Sequence, residues 1–217
     1  MKKAVLVAVL SMLVTGCATV KNQPLDAKVS ESLKDQSLAY TTRDKPSFAA
    51  MTAGKAAFAI LGAAAMISEG NGIIADNQVD DPATAISLGL MKALESSHAT
   101  KSAGTATKVE GDDVDKIAAS AKDVQFVVDV QTLNWSFVYF PTDWTHYRVI
   151  YSAKARLIDT KARTVVAEGA CSRVPENTAN APTYEDLVGN GAAGLKKELN
   201  LAVGECIQAL KTAMLKL

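Results

Sequence analysis

The strongest pattern along the chain is a two-residue alternation in its C-terminal third. Phe126, Val128 and Val130 are apolar on one parity, and Leu133, Trp135, Phe137 and Tyr139 on the other. A one-residue slip turns every side chain of a strand to the opposite face, so the change of parity predicts a bulge between Gln131 and Asn134. Tyr147, Val149, Tyr151, Ala153, Ala155 and Leu157 then alternate with His146, Arg148, Ser152, Lys154 and Arg156, as in an antiparallel strand buried on one side. After a polar turn at 159–163, residues 164–174 return as a third strand. If Ile158 pairs with Thr164, then Ala155 faces Ala167, Ala153 faces Gly169 and Tyr151 faces Cys171, which lines small side chains into a shallow trough.

Helical spacing surrounds this hairpin. Asp81 followed by Pro82 is a favoured helix start, and Ile86, Leu90, Ala93 and Leu94 give an apolar stripe up to about Ser97. A short helix over 113–122 turns Val114, Ile117, Ala118 and Ala121 inward. Thr183 with Asp186 resembles a capping box, and Leu195, Leu199, Ala202, Val203, Cys206, Leu210, Ala213 and Leu217 form the core stripe of a long terminal helix. Weaker patterns suggest strands over 37–42 and 105–109 and a loop over 69–81. Residues 48–67 are rich in Ala and Gly and read as a helix. Their uninterrupted apolar part would span about 18 Å, short of the ~30 Å hydrocarbon core of a bilayer. A buried or half-buried helix is the favoured reading, and a membrane-surface or self-association role for 54–67 stays open. The fold class expected is α+β: an antiparallel sheet of three to five strands packed against helices, with the long C-terminal helix on one face.

The N-terminus changes the picture. Lys2 and Lys3 precede an apolar run from Ala4 to Val14, then Thr15, Gly16 and Cys17. This is a secretory signal too short to be an ordinary membrane span. Val14-Thr15-Gly16-Cys17 resembles the lipobox of bacterial lipoproteins. The resemblance implies a signal peptide over 1–16, acylation of Cys17 and an anchor in a membrane. Ala18, rather than aspartate, follows the cysteine, which by the same resemblance implies the outer membrane and a periplasm-facing body. A tether over 17–36 and one domain over 37–217 complete the organisation.

The full chain balances 23 basic against 23 acidic residues, so no basic concentration exists to bind nucleic acid. With Cys17 assigned to lipid, Cys171 and Cys206 remain, an even pair in an oxidising compartment. Cys171 falls on the inward face of the third strand and Cys206 on the core stripe of the terminal helix. The two therefore point towards each other, and a disulfide is favoured over two buried free thiols.

Little else carries chemistry. Gly189-Asn190-Gly191-Ala192-Ala193-Gly194 is a literal G-x-G-x-x-G, but no strand follows it to complete a dinucleotide site. Close helix packing is the better account of its small residues. His98 and His146 lie in different elements without a carboxylate cluster at ligand spacing, so no metal site is expected, and neither has an evident nucleophile partner. Asp80 with Asp81, and Asp112 with Asp113, read as helix N-terminal residues. No cofactor and no enzymatic activity are expected.

The stretches "DVQFVVDVQTLNW" and "YRVIYSAKARLIDTKARTVVAEG" and the final helix resemble the small α+β domain of periplasmic assembly lipoproteins. The curli secretion lipoprotein and the N-terminal domain of the Tol translocation protein are examples. The barrel-forming strands of the secretion lipoprotein are not recognisable, and no functional residue carries over. The resemblance implies a non-enzymatic module that binds envelope proteins or itself; the alternative is a lipid- or small-ligand-binding module using the aromatic cluster. Seven of the twelve aromatic residues lie between Leu133 and Tyr151. Trp135, Phe137, Tyr139, Tyr147 and Tyr151 share inward parity and read as core. Phe140, Pro141, Asp143 and Trp144 sit at the hairpin tip as a candidate contact loop, because exposed aromatics are frequent interface anchors.

Overall fold

A computed structural model describes residues 20–56 and 59–217, with side chains described outside 55–62. The fold is α+β. Its centre is the antiparallel ribbon formed by β4 (Phe126–Phe140), β5 (Asp143–Asp159) and β6 (Thr164–Arg173). The expected bulge falls between Thr132 and Asn134, but Leu133, read with the apolar parity of Trp135, Phe137 and Tyr139, is its extra residue and is exposed. Three further strands join the far edge of β4, all running parallel to their neighbours. β1 (Ser37–Thr42) pairs with one end of β4, β2 (Ala49–Met51) with the other, and β3 (Lys101–Lys108) pairs with β1. The sheet order is β3-β1-β4-β5-β6, so the expected antiparallel core holds while the added strands are parallel.

A second bulge, between Leu157 and Ile158, corrects the register of the last hairpin. Ile158 pairs with Val165, and beyond it Ala155 faces Gly169 and Ala153 faces Cys171. The trough survives the shift because the small side chains alternate on both strands. It is filled by α6 (Tyr184–Leu210), whose Leu195, Leu199, Ala202, Cys206 and Leu210 are buried. Gly169 lies where a Cβ would stand 3.1 Å from the Met214 side chain, so helix and strand approach closely.

α6 is not one straight rod. Thr183 and Asp186 close the capping box, but Gly189 to Ala192 leave helical geometry, with Asn190, Gly191 and Ala192 at φ of 52°, 69° and 57°. The G-x-G-x-x-G is therefore a kink, in which glycine tolerates a left-handed turn that other residues resist. At the far end the helix widens into a π-turn over Lys211–Leu215. The extra residue rotates the stripe, so Met214 and Leu215 are buried where Ala213 and Leu217 were expected.

α4 (Pro82–His98) packs beside α6 on the same face, capped by Asp81, whose carboxylate accepts from the Ala83 amide at 3.0 Å. α5 (Val114–Ser120), capped by Asp113, covers the opposite face with Ile117 and Ala118 against Val127 and Ile158. Two expectations change at the N-terminal side. Residues 17–36 are no free tether from Gln23 onward: Gln23 bridges Glu168 of β6, Leu25 and Leu33 are buried, and α1 (Ala27–Ser32) lies between them. Residues 48–81 are no single helix followed by a loop. Phe48 is buried before β2, a short turn α2 (Ala53–Ala56) follows, and α3 (Ala59–Asp76) runs through the expected loop. Gly70 explains the crossing, since a Cβ there would lie 2.1 Å from the Phe48 carbonyl oxygen. Ala63, Ala64, Ala65 and Ile67 of α3 are exposed rather than buried. Among the described residues, no helix is long and apolar enough to cross a membrane.

Candidate functional site

The β4–β5 hairpin reaches well past its neighbours, and its tip is the site that the sequence singled out. A short side chain with two acceptors organises it. Asp143 Oδ1 accepts from the Thr145 amide at 3.1 Å and hydroxyl at 2.7 Å, and Oδ2 lies 2.6 Å from His146 Nδ1. The Thr145 hydroxyl, helped by His146, holds the half-buried carboxyl of Asp143 down at about 2. Trp144 projects from this turn with 66% of its surface exposed. Its indole N–H donates to the Pro141 carbonyl at 3.1 Å, and its ring meets Tyr139 edge-on with centroids 6.3 Å apart. The polar end of the indole is thus satisfied within the loop, and its apolar faces are left to solvent. The stem just behind the tip is tied down as well, because the Tyr147 amide donates to the Pro182 carbonyl at 2.8 Å, just ahead of α6.

Phe140 leaves the contact set. It is 3% exposed, with the Arg148 guanidinium 5.4 Å from its ring centroid. The register shift between Tyr139 and Phe140 turns the ring back against the sheet, and a cation over its face covers it. Tyr139, assigned to the core by parity, is half-buried and supports Trp144 instead. The remaining aromatics pack on one another: Phe48 lies edge-on to Trp135 at 5.2 Å and to Phe137 at 5.8 Å, and Tyr184 meets Phe137 at 5.9 Å and Tyr147 at 6.0 Å. The cluster fills its own space.

Cys171 and Cys206 are bonded, with an S–S distance of 1.99 Å and Cα atoms 5.2 Å apart. Cys17 and the lipobox lie outside the described residues.

The sheet face opposite α6 holds an ion network that alternation assigned to solvent. Asp129 is fully buried between Arg43, whose Nη1 lies 2.6 Å from Oδ1, and Arg156, whose Nη2 lies 2.6 Å from Oδ2. Burial alone would raise this carboxyl, but the guanidinium groups of Arg43 and Arg156 and the Thr41 hydroxyl outweigh it and hold it below the usual carboxylate range. Asp112 caps no helix; it pairs with Lys154 Nζ at 2.6 Å and with Arg156 at 2.7 Å. Lys154 and Arg156 are buried because the segment between β3 and α5 lies over them. Period-two patterning marks which side of a strand a residue takes, and a loop distant in sequence decides whether that side meets water.

His98 has a partner that the sequence did not reveal. Ser30 Oγ lies 2.7 Å from its Nε2 and Ser97 Oγ 2.7 Å from its Nδ1. Ser97 also donates to the Ala93 carbonyl at 2.8 Å. With the Ser97 hydroxyl proton so used, Ser97 Oγ is left to accept from Nδ1–H, and in that tautomer Nε2 accepts from the Ser30 hydroxyl. Among the described residues, no carboxylate is hydrogen-bonded to this ring and no group of His, Cys, Asp and Glu is arranged to hold a metal ion.

No protein-family model and no curated protein matches the chain. Among solved structures it is similar to the PelC dodecamer from Paraburkholderia phytofirmans, at 13% identity over 91% of this chain and 96% of that chain, with a TM-score of 0.34. It is also similar to lipoprotein GNA1162 from Neisseria meningitidis, at 14% identity over 78% and 95% of the two chains and a TM-score of 0.29. The C-terminal domain of LpoB from Escherichia coli is a third, at 10% identity over 66% and 85% with a TM-score of 0.22. Likeness at these scores carries no inference about activity.

Proposed function

We propose that the chain is a non-enzymatic outer-membrane lipoprotein, anchored through Cys17 and facing the periplasm, that docks an envelope protein through the tip of its β4–β5 hairpin. The observation that carries this reading is Trp144: a large aromatic held in one pose by Asp143, Thr145 and Pro141, yet 66% exposed. A rigid anchor of this kind loses little conformational entropy on binding, and aromatic anchors dominate the energetics of protein interfaces. The aromatic core cluster gives no support to a small-ligand site beneath α6, because its rings already occupy one another's faces.

The test places a photo-crosslinking amino acid at position 144, and at Arg163 in the opposite turn as a control, in cells producing the full chain. A discrete protein adduct from 144 that is lacking from 163 is expected. Trp144→Ala should leave the unfolding temperature within about 2 °C of wild type, as surface substitutions do. A large loss of stability, or the same adducts from both positions, would overturn the reading.

A further inference from the structure

The hydrogen bond between Ser30 and His98 is not needed to seat α1. Asp26 caps that helix by accepting from the Lys28 amide at 2.8 Å, and Leu25 and Leu33 on either side of it are buried. Backbone bonds hold both flanks: the Leu25 amide donates to the Met214 carbonyl at 2.7 Å, and the Asp35 amide to the His98 carbonyl at 3.4 Å. The second of these brings α1 against the last turn of α4, where His98 is the final helical residue and Ala99 ends the helix in a left-handed cap.

Three side chains are thereby ordered in a row. Ser97 spends its proton on the Ala93 carbonyl, so it accepts from His98 Nδ1–H, and the Nε2 lone pair is left facing the Ser30 hydroxyl at 2.7 Å. This is the tautomer in which an imidazole can draw a proton from a serine, with nucleophile, base and orienting group each in hydrogen-bond reach of the next. The orienting group is a hydroxyl and brings no charge to steady an imidazolium. The carbonyl end of α4 supplies part of that charge, since a helix C-terminus favours a cation. Ser30 and His98 are half-buried, and with Ser97 they line an open cavity of about 540 Å³, a size ordinary for ligand sites. Lys34 and Glu31 line it too, and among the described residues Lys34 is in no ion pair.

We infer that Ser30 is a nucleophile that accepts a short acyl group from an activated ester, with His98 as its base. Ser30 Oγ bonds to the carbonyl carbon while its proton passes to His98 Nε2, and Lys34 is the cation available to the oxyanion that forms. The bond from that carbon to the leaving oxygen then breaks, and the leaving oxygen takes the proton from Nε2. The products are an acyl-serine and an alcohol. The acyl group is short because Ala99 is the one apolar side chain in the lining, which offers a long chain no wall to lie against. The step modifies the chain once, and it neither rests on the Trp144 tip nor alters it.

The test treats the full chain in detergent micelles with p-nitrophenyl acetate at neutral pH and maps acetyl groups by peptide mass spectrometry. Acetylation of Ser30 is expected to run about a hundredfold faster than in the same chain unfolded in urea, the size of a general-base contribution. His98→Ala should remove that advantage with an unchanged thermal unfolding curve. His98→Gln, which can still hydrogen-bond to Ser30 but takes no proton at neutral pH, should remove it equally. Ser97 is a positioning residue, so Ser97→Ala should slow the reaction and Ser97→Thr should restore it. Acetylation of Lys34 in place of Ser30, a Ser30 rate no higher than in the unfolded chain, or a rate indifferent to His98→Gln would each overturn the inference.

Discussion

Reduction of the Cys171–Cys206 bond should lower stability by an amount that follows from where the two cysteines stand. They are 35 residues apart, and the bridge ties β6 to α6 across a span that includes the kink at Gly189 to Ala192. In the chain-entropy account, a cross-link closing a loop of this length restricts the unfolded chain by about 4 kcal/mol at room temperature. For a domain of this size that corresponds to a fall of roughly 8–15 °C in unfolding temperature. Trp135, 1% exposed, is the reporter. Guanidinium unfolding followed by its fluorescence, with and without a phosphine reductant, should give a lower midpoint and a steeper slope when reduced, because the freed chain exposes more surface. Cys171→Ala with Cys206→Ala should reproduce the reduced curve, with a further loss of about 1 kcal/mol for the missing buried sulfurs. Superimposable oxidised and reduced curves would refute the reasoning, since a bond that constrains the unfolded chain cannot leave both midpoint and slope unchanged.

The ion network makes a second test. Asp129→Ala takes from Arg43 and Arg156 the buried carboxylate they share, leaving Arg156 only the part-exposed Asp112, and should cost about 3–5 kcal/mol in chemical denaturation, whereas a neutral result would mean that the pair is solvated in solution. Because the folded pKa of Asp129 lies below its unfolded value, the carboxylate contributes its full stabilisation above about pH 4. That contribution is lost as pH falls through the folded pKa, so the acid limb of the stability profile should flatten in the Asp129→Ala protein. Gly70→Ala places a Cβ against the Phe48 carbonyl and should destabilise by about 1–3 kcal/mol through displacement of α3, read as a shift in denaturant midpoint. Asp143→Ala removes the acceptor that fixes the tip, so acrylamide quenching and depolarisation of the Trp144 emission should increase while the denaturant midpoint moves little.

What the sequence disclosed were features whose cause is local. Asp81, Asp113 and Thr183 each satisfy orphan amides within their own first turn, and all three cap helices as read. The bulge at Leu133 was legible because it reverses parity within one strand. The disulfide was legible because two independent periodicities, of two and of 3.6, placed both cysteines inward. The register of β5 with β6 was not, since the bulge at Ile158 substitutes one apolar residue for another and leaves no trace in the pattern. α3 was hidden for a similar reason: its glycines and polar residues look like a loop, and Gly70 is there to meet a carbonyl from another element. Phe140, Lys154 and Arg156 were assigned to solvent because the groups that cover them come from a register shift and a distant loop. The Ser30–His98 contact was invisible too, as its two residues stand 68 positions apart and meet only through the fold.

The position of the tip relative to the N-terminus bears on which partner it can meet. Gln23 is bridged to Glu168, which stands opposite Arg156 on β5. Trp144 lies about 40 Å further along that same strand, at 3.3 Å per residue. Between Cys17 and Gln23 the chain can extend at most about 20 Å. The described N-terminal segment therefore meets the sheet near one end of its longest strand and Trp144 stands at the other. The N-terminal segment is itself pinned by Lys21 and Gln23 on Glu168 and by Leu25 on Met214, so little slack remains to let the body turn over. An exposed indole so placed points away from the end of the sheet at which the N-terminal segment joins it. The same pinning gives the tether a structural role, because it closes the outer edge of β6 at Glu168 while fixing the direction in which the hairpin points.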